Sequence, residues 1–114
     1  MPMTREQLLP AHILEQLPKL NETGVQDDHV AIVKFFYPDF DWTWYAIEFD
    51  GDDLFYGYVI GDIPEYGSFR LSELMENRGK MGLEIERDLY FEPTPVSEIL
   101  AKSPPRRLRP VAEI

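Results

Sequence analysis

The sequence predicts an α+β domain. Its core is an antiparallel β-meander over about residues 30–61, accompanied by an N-terminal helix, a short middle helix and a C-terminal helix. Three observations lead there. The runs VAIVKFFY (30–37), WTWYAIEF (42–49) and LFYGYVI (54–60) are β-branched and aromatic, as strands require. The connections between them are short, which favours antiparallel neighbours. Helical spacing or capping residues mark the chain near 4–17, 73–77 and 96–101 on either side.

Taken in order, residues 4–17 read as helix. Thr4 is placed to cap it, and Gln7 three residues later completes a capping box. Pro10 either kinks this segment or starts a second short helix at its own first turn. Leu9, Ile13, Leu14 and Leu17 form the expected buried stripe, and Pro18 ends it. Residues 19–28 read as a loop. Pro38 stops the first strand, and the second and third are joined through Asp50, Gly51, Asp52 and Asp53, with Asp-Gly as the hairpin signal. Residues 62–67, with Pro64 and Gly67, read as another loop, and Phe69 and Leu71 as at most a short strand. Ser72 is the expected cap of a helix over about 73–77. Residues 83–91 read as an amphipathic strand or an irregular segment. Residues 96–101 form the final helix, capped by Thr94 or Ser97.

A chain of 114 residues is one domain by length, and buries roughly two-thirds of the surface its unfolded form exposes. The division expected is one domain over 1–102 and a basic, proline-rich tail over 103–114. With 44% hydrophobic and 28% charged residues it has the composition of a soluble globular protein. The absence of cysteine removes disulfides, thiolate metal sites and a thiol nucleophile, and fits a cytoplasmic protein. No signal peptide and no long apolar run is read, so no membrane association is expected.

The charge is unevenly spread. The whole chain carries a formal charge of −10, which opposes general nucleic-acid binding. Between Glu22 and Glu65 stand eleven acids (Glu22, Asp27, Asp28, Asp39, Asp41, Glu48, Asp50, Asp52, Asp53, Asp62 and Glu65) against a single base, Lys34. Carboxylates concentrated in loops create a negative field that can dock on a basic surface, including one built to receive DNA phosphates. The plain alternative is solubility together with ordinary turn chemistry. Thirteen of the fifteen aromatics lie between Phe35 and Phe69. By the two-residue period, Trp42, Trp44, Ala46 and Glu48 share one face, and Thr43, Tyr45, Ile47 and Phe49 the other. Tyr56 and Tyr58 share a face with Leu54 and Ile60. Both sheet faces are therefore apolar. An exposed aromatic face could anchor a protein partner or stack single-stranded bases, and a packed core explains the same residues.

Other chemistry finds less support. Asp50, Asp52 and Asp53 offer oxygens to a hard cation, but without the alternating ligands and terminal Glu of an EF-hand. His12 and His29 stand without a serine motif, and no phosphate-cradling glycine loop is present. No catalytic residue, metal or cofactor is assigned. Lys102, Arg106, Arg107 and Arg109 make a basic arm able to touch nucleic acid or an acidic patch.

The segments PAHILEQLP (10–18), KFFYPDFDW (34–42), WTWYAIEFDGDDLFYGYVIG (42–61) and FRLSELMENRGKMGLEIERDLYFEPTPVSEI (69–99) together resemble the family called domain of unknown function 2958 (DUF2958). The likeness covers about residues 10–101. It implies a small bacterial protein carried on plasmids, phages and other mobile elements, in a setting of DNA transfer or defence. It implies no catalytic residues. The expectation is then a non-enzymatic acidic binding protein of a mobile genetic element, docking on a basic nucleic-acid-handling protein as a DNA mimic or anti-defence inhibitor. Asp39, Asp41, Asp50, Asp52 and Asp53 would supply the charge, and Trp42, Trp44, Tyr56 and Tyr58 the contacts. The alternatives are a single-stranded DNA accessory module of conjugation or replication, and a metal-dependent hydrolase or nuclease.

Overall fold

A five-stranded antiparallel sheet forms the body of the protein. The computed structural model describes residues 3–24 and 28–102. The tail, with Arg106, Arg107 and Arg109, lies outside the described residues, as does Asp27. In chain order the elements are α1 (Arg5–Leu8), α2 (Ala11–Leu14), β1 (Val30–Ala31), β2 (Val33–Phe36), β3 (Thr43–Phe49), β4 (Leu54–Ile60), β5 (Pro64–Arg70), α3 (Leu71–Glu76), β6 (Glu86–Arg87), β7 (Thr94–Pro95) and α4 (Val96–Lys102). The main sheet has the order β5-β4-β3-β2-β6, and β1 pairs separately with β7. The α+β class and the meander core are as the sequence predicts.

The capping box forms at the first helix. Thr4 Oγ1 accepts the Gln7 N–H at 3.1 Å and Gln7 Oε1 accepts the Thr4 N–H at 2.7 Å. Pro10 then divides the segment into two four-residue helices, with Pro10 itself at the N-cap of α2. Leu9 and Ile13 are buried, but Leu14 is 40% exposed, while Leu8, outside the expected stripe, is fully buried. The break at Pro10 resets the helical phase, and one continuous periodicity cannot describe two helices.

Two cores result. On one sheet face, Leu8, Leu9 and Ile13 from the N-terminal helices and Leu71 and Leu74 from α3 pack on Val33, Phe35, Trp44, Ala46, Phe49, Phe55 and Phe69. On the other, Val96 and Ile99 of α4 pack on Ala31, Tyr45, Ile47 and Tyr58. Both faces are covered, which explains why the strand runs are apolar throughout.

Four local expectations are corrected. The 30–37 run is divided at Ile32 into β1 and β2, so that β1 can pair with β7. Residues 64–70 form a full strand rather than a loop. Pro64 sits at the first position of an edge strand, where a missing N–H costs nothing. In β3 the pairing register shifts between Ala46 and Glu48. This bulge puts Phe49 opposite Phe55 on the first core face, and turns Glu48 to the side of Tyr56. Finally, helix α3 begins at Leu71, and its first amides are held by acids. Glu73 accepts the Arg70 N–H at 2.9 Å, and Asp53 accepts the Ser72 N–H at 2.8 Å.

Candidate partner-docking groove

The five aspartates singled out from the sequence do different work. Asp50 Oδ1 accepts the N–H groups of Asp52, Asp53 and Leu54 at 2.8, 2.9 and 3.0 Å, closing the β3–β4 turn. These bonds hold its carboxyl below the usual range. Asp53 accepts both the hydroxyl and the N–H of Ser72 at 2.8 Å, and Arg70 stands 3.7 Å away. The Ser72 hydroxyl is the main cause of its lowered pKa. Asp39 Oδ2 accepts the Met81 N–H at 2.7 Å and the Leu83 N–H at 3.4 Å, tying the 79–83 turn to the β2–β3 connection. Asp41 and Asp52 are exposed. Three of the five are thus spent on holding the chain's own loops.

The four aromatics separate onto opposite faces. Tyr58 is buried under α4, and Tyr56 stands beside it, facing His29 and Tyr66 at centroid distances of 6.1 and 6.0 Å. Burial pushes the Tyr58 and Tyr66 phenols up. Trp44 is buried on the other face, in contact with half-buried Trp42 at 5.9 Å. A side chain at Gly61 would meet the Trp42 ring at 2.7 Å, so the glycine lets the indole lie against the backbone.

Beside these two tryptophans a groove opens between the outer part of the sheet and α3, enclosing about 400 Å³. Trp42, Trp44, Val59 and Phe69 form its apolar wall, and Leu74 and Asn77 its helical side. Asp62, Glu65 and Glu73 line it, and among the described residues no lysine or arginine does. Gly67 lies in the middle of the strand beside it, and among the described residues nothing stands within 4 Å of where its Cβ would be. An indole wall with carboxylates at its margin suits a cationic, partly apolar side chain, above all arginine.

Asp62, Glu65 and Glu73 are not legible as a set in the sequence. Residues 62–67 read as a loop, and only the formation of β5 brings that segment against Trp42 and α3. Glu48 stands in the sequence only as one of the eleven acids, but it is 4% exposed. Burial acts to raise the pKa of its carboxyl, but hydrogen bonds from the Thr23 hydroxyl and the Asn21 and Thr23 N–H groups outweigh this and leave it lowered. Among the described residues, no group of three or more His, Asp or Glu is arranged to hold a metal ion, and no helix is long and apolar enough to cross a membrane.

Residues 5–103 match the family model described as protein of unknown function (DUF2958). No curated protein and no solved structure matches the chain.

Proposed function

The chain belongs to the DUF2958 family, whose description assigns no activity, and from its own geometry we propose that it is a non-enzymatic acidic binding protein that docks on a basic, nucleic-acid-handling protein. The observation that carries this is the groove: two tryptophans on its wall, Asp62, Glu65 and Glu73 around it, and, among the described residues, no basic side chain in its lining. Aromatic anchors in a concave site supply affinity, and the surrounding field supplies orientation and association rate. The chain's net charge of −10 favours a basic partner and opposes a nucleic acid as direct ligand. The resemblance to proteins of plasmids and phages supports a role within a mobile genetic element, where blocking a host DNA-processing protein is advantageous.

The internal duties of Asp39, Asp50 and Asp53 shape this proposal. A surface that imitates DNA needs carboxylates pointing outward, whereas these three accept hydrogen bonds from the chain's own backbone. Specific contact therefore falls to the groove, and the remaining acids act by long-range attraction. The test is affinity capture from host lysate with wild type, Glu65→Lys and Trp42→Ala. A basic DNA-processing protein retained by wild type at low salt and lost from both variants is expected. Capture indifferent to salt and to both substitutions would overturn the proposal.

A further inference from the structure

We propose that the partner enters as an extended basic segment that adds a strand to the outer edge of β5. This rests on the docking proposal above and specifies its mode. β5 is a seven-residue edge strand, and among the described residues no strand pairs with its outer side. The direction of its free groups follows from the ladder. Asp50 donates its N–H to the Leu54 carbonyl, so Leu54 presents its backbone to β3. Alternation then turns Phe55, Gly57 and Val59 toward β5, where they pair with Phe69, Gly67 and Glu65. Tyr66 and Ser68 consequently direct both N–H and C=O outward, away from β4. Two residues with this spacing are the repeat that an incoming antiparallel or parallel strand requires.

Soluble proteins usually blunt such an edge with lysines, a bulge or a covering loop. The ladder between β4 and β5 runs without a bulge from Leu54↔Arg70 to Ile60↔Pro64, and the strand carries Glu65 and Arg70 as its only charges. The groove lies alongside this edge, on the face carrying Glu65 and Phe69. An added strand would therefore bring alternate side chains over the space above Gly67, toward Trp42 and between Glu65 and Glu73. Charge complementarity decides what those side chains are: arginine or lysine, alternating with residues that tolerate the opposite face. A second copy pairing β5 with β5 would set two such acidic margins against each other, which disfavours self-association by this edge.

The test uses the full chain and a nine-residue probe peptide alternating Arg with Val, compared with an otherwise identical peptide N-methylated at alternate residues and with a Glu/Val counterpart. The Arg/Val peptide is expected to bind at low salt, shift Trp42 fluorescence and slow hydrogen exchange at the Tyr66 and Ser68 amides. N-methylation should weaken binding at least tenfold, as should Gly67→Leu, which fills the groove at a position whose backbone accepts a side chain. Equal binding of the methylated peptide overturns strand addition but leaves the acidic groove standing. Binding of neither basic peptide, or equal binding of the Glu/Val peptide, overturns both. Tyr66 and Ser68 amides already protected in the chain alone, with a dimer in sedimentation, would assign this edge to a second copy and overturn the partner segment.

Discussion

A side chain on Gly57 would place its Cβ 2.0 Å from the carbonyl oxygen of Tyr45. The two residues lie on neighbouring strands next to the β3 bulge, and the bulged backbone occupies the space a larger residue needs. The obstacle is main chain, so it cannot rotate away. Gly57→Ala is expected to destabilise the fold by at least ~1–3 kcal/mol, as overpacking of a buried site does. Urea unfolding of the two proteins checks this, and an unchanged midpoint would contradict it.

Glu48 fastens the 19–24 loop to the sheet. Its carboxylate accepts the Asn21 N–H at 2.8 Å, the Thr23 N–H at 3.0 Å and the Thr23 hydroxyl. Asn21 holds a φ of 68°, an unusual conformation for a residue with a side chain, and the Glu48 bond helps to fix it there. Glu48→Gln keeps one acceptor and loses the charge. It is expected to cost about 2 kcal/mol, the scale of a hydrogen bond to a buried charged group.

Acid should weaken the protein through four carboxyls. Asp28, Glu48, Asp50 and Asp53 all have folded pKa values below their ordinary ones. Groups of this sign contribute their full stability above the unfolded pKa, near ~4, and lose it as pH falls through the folded values. Thermal unfolding followed between pH 7 and pH 2 should therefore show Tm falling steeply below about pH 4–5. In Glu48→Gln the fall should be shallower. A Tm independent of pH across this range would contradict the hydrogen-bond assignments.

Two serines are held by distant aspartates, Ser72 by Asp53 and Ser97 by Asp28. Each acid accepts a first-turn N–H and hydroxyl of a short helix, as a capping side chain does. Asp53→Ala is expected to cost about 1 kcal/mol, the usual loss for a capping side chain, and to speed exchange of the α3 amides. Ser97→Ala removes only the hydroxyl partner of Asp28, so the Ser97 N–H bond persists and the effect should be smaller. Equal exchange rates in all three proteins would show that these bonds do not hold the helices.

Much of the fold was legible because its evidence is local. The Asp50–Asp53 turn, the strands of Thr43–Phe49 and Leu54–Ile60 and the Thr4–Gln7 box each depend on residues close in sequence. What was missed depends on partners far away. Pro64 and Gly67 are turn signals in isolation, and only pairing with β4 makes the segment a strand. The bulge at Ala46/Glu48 inverts the faces of Glu48 and Phe49, and no alternation pattern reveals such a slip. The groove was half legible. Trp42 and Trp44 stood out by type, but Asp62, Glu65 and Glu73 meet them only through β5 and α3. The aspartates of the turn drew attention by their density, while their hydrogen bonds are visible only in three dimensions.

The bond between Asp28 and Ser97 joins positions 69 residues apart. The β3–β4 hairpin closes over a handful of residues, so it can form early, whereas the seven residues of α4 are too few to stay helical by themselves. Assembly should then run in a fixed direction, from hairpin to sheet to latch. On the ribosome, Tyr45, Ile47 and Tyr58 wait uncovered until residues 96–102 have emerged. For that interval the growing chain displays an aromatic sheet face to the cell, and the length of the exposure is set by the pace of translation rather than by the speed of folding.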